Sequence, residues 1–332
     1  MKKQSLIYPL AAVCMYLTPN LPCYAGEVFR NSVPEKDSIV YTLQGSMQAD
    51  ESLVGKDYNA IHQYMRRLGW DYSEHPNSSF KDHHTGVHAE VVYDDVLKQY
   101  VFKFTNHAGE FLDGDRGSLK DRQRNEMKSQ TSPAWQKLNG NWDKWQQLKW
   151  KFKIPKGFRP STSFCHIHQL KAQEGNNGAP LITITPRCDA DGTNRRMQVI
   201  HTGDTRASTK GVLIDNIPLK EFEDEWVQVE TEMHYTDHGS FRIRITRISD
   251  GKILMNQCFD DIDLWRSGAT NIRNKFGIYR SLGGRMENLD DRPKNGIKDE
   301  HLYLGDFQAT VDTKLIADIG CSATPKIYIV KT

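Results

Sequence analysis

From about residue 85 onward, apolar and polar residues alternate at every second position, the period of a strand with one buried face. In "LKWKFKIP", Leu148, Trp150, Phe152 and Ile154 fall on one side and Lys149, Lys151 and Lys153 on the other. "WVQVETEMHY" and "SFRIRITRI" repeat the pattern around the turn Asp237-His238-Gly239, and Asp250-Gly251 marks a second hairpin before "KILMNQ". "PLITITP", "RMQVIHT", "NKFGIYR" and "HLYLGDFQATV" add further strands. Helical spacing is read in one place, where Leu53, Tyr58, Ile61, Tyr64, Met65 and Leu68 recur at intervals of three, four or more. Many short strands between Gly, Asp and Asn turns predict an all-β fold. The expected form is a β-jelly roll, a concanavalin-like sandwich of two antiparallel sheets, with a short N-terminal helical extension.

The N-terminus changes that picture first. Lys2 and Lys3 precede an apolar run, and Cys23-Tyr24-Ala25 offers a small residue before a cut, so residues 1–25 read as a secretory signal peptide. The expected organisation is that signal, an extension over 26–84 whose helix packs on the sandwich, and a jelly roll over 85–332. Neither Cys14 nor Cys23 follows the small residue that lipoprotein processing wants, and no later apolar stretch nears a membrane span. The expectation is a secreted or periplasmic monomer with no membrane partner. Across 332 residues, 44 Lys+Arg against 42 Asp+Glu leave a net charge of +2, so bulk charge points to no nucleic-acid partner. Cys165, Cys188, Cys258 and Cys321 remain after the signal; three pairings exist if all are bridged, and free thiols are the alternative.

Three strands carry candidate chemistry. "DRQRNEMKS" puts Arg122, Arg124, Glu126 and Lys128 on one face, a row of cations with one carboxylate that suits a repeating anion; a solvated charged strand is the plain alternative. "SFCHIHQLK" as a regular strand sets Phe164, His166, His168 and Leu170 on one face and Cys165, Ile167, Gln169 and Lys171 on the other. "NKFGIYRS" sets Lys275, Gly277 and Tyr279 against Phe276, Ile278 and Arg280, with Lys275 and Tyr279 roughly 13 Å apart at about 3.3 Å per residue. Cations, imidazoles and a phenol are what β-elimination from a uronic acid requires. The sugar carboxylate must be neutralised while a base takes the C5 proton and an acid protonates the departing C4 oxygen. Histidine suits the first transfer and tyrosine the second, although a tyrosine surrounded by cations could also be the base.

These stretches resemble the three strand motifs of the jelly-roll polysaccharide lyases, the alginate lyase and heparin lyase I group, in the family's order along the chain. Where alginate lyases carry Arg-x-Glu-x-Arg, Gln-Ile-His and Lys-x-Gly-x-Tyr, this chain has Arg124-Asn125-Glu126-Met127-Lys128, His166-Ile167-His168 and Lys275-Phe276-Gly277-Ile278-Tyr279. "KFGIYR" is especially similar to the heparin lyase I stretch. The resemblance implies a lyase with His168 as base, Tyr279 as acid, and Arg124 and Lys275 on the acidic sugar. It places His166 or Arg122 at the carboxylate, and Glu126, Lys128, Gln169, Arg280 and His201 are further candidates for the substrate surface. His166 stands where alginate lyases have glutamine, and Lys128 gives up a bidentate fork for a point charge. Both departures point toward a glucuronate-type or glycosaminoglycan-type anionic polysaccharide, as in glucuronan lyases.

Rival readings use some of the same residues. A cupin would build a metal site from His166, His168, Glu174 and His201, but Glu174 follows His168 by six positions rather than four or five. A glycoside hydrolase needs two carboxylates flanking the bond, whereas Asp260-Asp261 and Asp290-Asp291 sit in turn-like contexts. A noncatalytic carbohydrate-binding sandwich would explain the seven Trp, of which Trp142, Trp145, Trp226 and Trp265 read as packing or sugar-stacking residues. No cofactor and no catalytic metal is required for elimination; a structural calcium could sit on Asp113, Asp115 and Asp121. His107, His201 and His234 read as satisfied or exposed histidines.

Overall fold

The computed structural model describes residues 39–76, 86–109, 112–115, 121–284, 296–315 and 328–330. The expected signal segment, Asp290, Asp291 and Cys321 lie outside them. The described strands form two sheets. One runs β13(Ile253–Ile262), β12(Gly239–Arg247), β11(Val227–His234), β6(Trp145–Lys153), β15(Glu300–Leu315), β1(Ile39–Met47) and β16(Tyr328–Val330), with the hairpin of β3(Ala89–Asp94) and β4(Gln99–Asn106) joined to β15. The other runs β10(Gly211–Pro218), β9(Arg196–His201), β8(Ile182–Arg187), β7(Cys165–Gln173), β14(Asn271–Ser281), β5(Arg122–Ser129) and β2(Trp70–Glu74). All pairs are antiparallel except β1 with β16. The all-β sandwich expected from the alternation is the fold observed.

The two inner faces meet in one apolar core. Leu148, Trp150, Phe152 and Ile154 are all buried, as their spacing predicts, while Lys149 and Lys153 pair with Glu230 and Asp94 on the outer face. Trp150 of the first sheet packs on Phe276 of the second at 5.1 Å between ring centroids, and Phe276 also meets Phe307 at 5.0 Å. These large rings bridge the sheets and set their separation. Trp145 and Trp226 are buried too, whereas Trp142 is half exposed and packs edge-on against Trp265 at 5.4 Å.

The N-terminal segment departs from expectation. The helix α1(Tyr58–Arg67) is there, started by Asp57, whose carboxylate accepts from the Ala60 N–H at 2.9 Å, and stopped before Gly69 at φ +90°. It buries Ile61 and Met65. Yet 26–84 is no mere appendage, because β1 joins the first sheet and β2 is the edge strand of the second, paired with β5. Neither strand, nor β3, β4 and β10, was legible from alternation alone. Cys165 and Cys188 are free and buried, so Cys165, Cys188, Cys258 and Cys321 are not all bridged; Cys258 is disulfide-bonded. Among the described residues no helix is long and apolar enough to cross a membrane.

One backbone feature places the site. Gly277 in β14 has φ +145°, and a Cβ there would collide with the Asn125 carbonyl oxygen of β5. Only glycine lets these two strands approach this closely. Gly277→Ala is expected to cost roughly 2 kcal/mol or more, read as a lowered midpoint in thermal or urea denaturation.

Candidate active site

Strands β5, β14 and β7 lie side by side in the second sheet, and their outward side chains build a cleft. Tyr279 pairs in register with Arg124, Gly277 with Glu126 and Lys275 with Lys128, so the cationic row and the lysine-to-tyrosine row run antiparallel on one surface. Arg122 Nη1 donates to the Tyr279 hydroxyl at 3.1 Å, and the Arg124 guanidinium lies over the Tyr279 ring at 4.1 Å. Lys275 Nζ reaches Glu126 at 2.8 Å, and Glu126 also accepts from the Gln169 amide. Five of the candidates, Arg122, Arg124, Gln169, Lys275 and Tyr279, line one cavity of about 370 Å³. Glu126 and Lys128 contact its lining residues.

The structure adds residues that the strand motifs did not reveal. Glu74, at the end of β2, accepts from Lys275 at 2.6 Å, Arg124 at 2.7 Å and Lys128 at 2.8 Å. Burial opposes its ionisation, but Lys275, Lys128 and Arg124 overcome that penalty and hold its carboxyl far below the usual carboxylate range. Asp115 accepts from Arg124 Nη2 at 2.9 Å. Lys171 and Arg273 also line the cavity and donate to the backbone carbonyls of Gly178 and Ala172. Five cations, Arg122, Arg124, Lys171, Arg273 and Lys275, thus face two lining carboxylates, Glu74 and Asp115, and the surplus suits an anionic ligand. Burial and the neighbouring Lys275 and Arg273 push the Lys171 amine down to about 8. Alternation could have exposed Lys171 and Arg273, each two positions from a candidate; Glu74 stands in "WDYSEH", a short polar stretch with no periodic signal.

The two histidines separate. Between β7 and β14 the pairing is His166 with Tyr279 and His168 with Phe276, so three steps along β14 oppose two along β7. The irregularity breaks the alternation, and Phe164, His166, His168 and Leu170 do not share a face. His166 keeps to the Tyr279 side, 6.1 Å from that ring between centroids. Its Nδ1 is buried with no hydrogen-bond partner among the described residues. Burial first, then the cations Arg187, Lys275, Lys171 and Arg124, push it down to about 3, so the ring is neutral.

His168 instead enters the core, 1% exposed, against Phe276 at 4.7 Å and Trp150 at 5.5 Å, with Nδ1 on the Lys275 carbonyl at 3.0 Å. This corrects its expected place as base: the ring is sealed between the sheets. Arg280 is likewise on the inner face, fully buried, donating to Gln123 at 2.8 Å and to the Lys298 carbonyl at 2.6 Å, and does not meet the cleft. His201 is buried and spent on backbone, with Nε2 on the Asp263 carbonyl at 2.7 Å and Nδ1 accepting from the Lys210 N–H at 3.0 Å. His166, His168 and His201 therefore converge on no common point, which removes the cupin arrangement. The three aspartates considered for calcium also diverge: Asp113 meets His88 and His107, Asp115 meets Arg124, and Asp121 meets Arg122. His234 stacks on Trp145 at 5.0 Å and pairs with Asp143 at 3.0 Å.

No family model matches the chain, and no curated protein matches it. Among solved structures it is similar to an endo-β-1,4-glucuronan lyase from the fungus Trichoderma reesei, at 14% identity over 74% of this chain and 94% of that one, with a TM-score of 0.46. A marine PL-14 alginate lyase from Aplysia kurodai matches at 14% identity over 80% and 97%, with a TM-score of 0.48. A family 7 alginate lyase in complex with substrate matches at 15% identity over 70% and 84%, with a TM-score of 0.44. These are likenesses of fold at low sequence identity.

His168 has a measurable signature. Burial pushes it down to about 3, so as the pH falls below the unfolded value of about 6.5 the unfolded chain takes up a proton that the folded one refuses. Stability is full above that window and falls within it. Replacing His168 by Gln is expected to make the pH dependence of unfolding free energy shallower by about 1.4 kcal/mol per pH unit between pH 6 and 4, measured by urea titration at several pH values.

Proposed function

We propose that the protein is a polysaccharide lyase that cleaves a uronate-containing chain by β-elimination, with a glucuronate-type polymer as substrate. The observation that carries this reading is the Tyr279 hydroxyl, which accepts from Arg122 at the edge of a cationic cleft and stands beside the neutral His166. A phenol whose oxygen already accepts one hydrogen bond directs its own proton outward, toward a ligand. That is the placement of a general acid for the departing C4 oxygen.

In this reading Lys275, Lys171 and Arg273 receive the uronate carboxylate and stabilise the second negative charge that develops as the C5 proton leaves. Since its Nδ1 is buried, His166 takes that proton at Nε2, the role that His168 cannot fill from the core. The carboxylate of the bound sugar offsets the cations that depress His166 and so raises its basicity when substrate arrives. The electron pair of the C5–H bond forms the C4=C5 double bond as the C4–O bond breaks, and Tyr279 protonates the leaving oxygen. No metal takes part in these steps.

Glu74 restrains this cleft, since its carboxylate occupies Arg124, Lys128 and Lys275 in the way that a sugar carboxylate would. Substrate must compete with it.

The test is ultraviolet absorbance of the unsaturated uronate product with glucuronan, alginate, heparin, heparan sulfate and chondroitin. Wild-type protein is expected to raise it on a glucuronate polymer. Tyr279→Phe and His166→Gln are each expected to lower kcat on the order of 10²–10⁴-fold, while His168→Gln keeps kcat within a few-fold. Absence of product on every polymer, together with retarded migration in a polysaccharide gel, would replace catalysis with carbohydrate binding. Glu74→Gln is expected to lower KM several-fold through lost competition for the cations; an unchanged KM would show that substrate does not reach them.

A further inference from the structure

A second cluster lies behind the cleft and takes no part in the chemistry above. His88 immediately precedes β3, His107 follows β4, and Asp113 lies in the connection beyond. His88 Nε2 is 2.9 Å from Asp113 Oδ1, and His107 Nδ1 is 3.2 Å from Asp113 Oδ2. One ligand atom from each residue falls within 4.8 Å of the others. His88 and Asp113 are buried and His107 nearly so, with its side chain 12% exposed. The two rings stand 5.0 Å apart at 78°, so neither blocks the other's approach to a common point.

We infer that His88, His107 and Asp113 bind a zinc-class transition metal ion that fixes the back of the cleft. Two imidazole nitrogens and a carboxylate are a nitrogen and oxygen set suited to zinc; calcium requires six to eight oxygens. Metal bonds of about 2.0–2.1 Å in a tetrahedron separate neighbouring ligand atoms by about 3.3 Å, close to the two spacings observed here. The ion therefore enters with small side-chain adjustments, and its fourth position is left to water or another donor.

The surroundings hold these ligands in place. Gln123 donates to the carbonyls of His107 and Asp113, the second at 3.1 Å, and Asn125 donates to the His88 carbonyl at 2.7 Å. Both are inner-face residues of β5, the strand whose outer face carries Arg122 and Arg124. Asp113 also stands two residues before Asp115, which holds Arg124. Metal binding at Asp113 thus tethers the stretch that positions an arginine of the cleft.

The experiment uses the full chain and reads metal, not activity. After zinc loading and desalting, elemental analysis is expected to find about one zinc per chain, and cobalt substitution is expected to give the visible absorption of a tetrahedral site. Chelation is expected to lower Tm by about 5 °C, with recovery on adding zinc back. His88→Gln or His107→Gln is expected to abolish the bound zinc, and Asp115→Asn to keep it. If His88→Gln fails to fold, the more exposed His107 variant and the wild-type stoichiometry decide. Wild-type protein that retains no zinc and shows no change in Tm, or a folded His107→Gln protein that binds zinc as the wild type does, would overturn the assignment and leave a hydrogen-bonded cluster only. Neither result depends on whether the cleft catalyses elimination.

Discussion

Lys275 is 3% exposed, and an ammonium in that position is tolerable only because Glu74 and Glu126 both reach it. A buried cation without partners would shed its proton or unfold its surroundings. That constraint organises much of the second sheet. It draws β2 against β5, because Glu74 sits at the end of β2, and it places Gln169 of β7 on the far side of Glu126. The N-terminal segment is integral to the molecule for the same reason: it supplies one of the two carboxylates that meet the buried ammonium of the central strand.

Close approach of β14 to β5 is the second condition. Gly277 admits the β5 backbone where any side chain would strike Asn125, and the irregular pairing with β7 falls at the same place. The consequence reaches both faces of the sheet. Tyr279 and Lys275 keep to the outer face with the arginines, Phe276 enters the core, and the histidines of β7 are sorted between the two faces. A packing requirement thus decides which imidazole can do chemistry.

The core and the cleft are also tied through β5. Its outer residues Arg122 and Arg124 face Tyr279, whereas its inner residues Gln123 and Asn125 secure the backbone around His88, His107 and Asp113. Anything that stiffens those inner contacts steadies the cations outside. Arg280 belongs to this interior framework and not to the ligand surface, since its neighbour Tyr279 already occupies the outward position.

The amino-acid sequence by itself determined the all-β class, most strands of both sheets and the row of cations, because each depends on a period of two that local residues carry. It also set Lys275 and Tyr279 on one face of β14 and the cations on one face of β5, through their alternation, while the pairing of β7 with β14 decided that Gln169 joins them. Only the tertiary structure decided that His166 shares the surface of Tyr279 while His168 is core, because one irregular pairing between strands more than a hundred residues apart in sequence breaks the alternation. Glu74 was hidden for a related reason: a carboxylate at the end of a short polar segment has no periodicity, and its meaning comes from the cations that folding brings to it, whereas Asp115, read with Asp113 and Asp121 as a calcium ligand, instead holds Arg124.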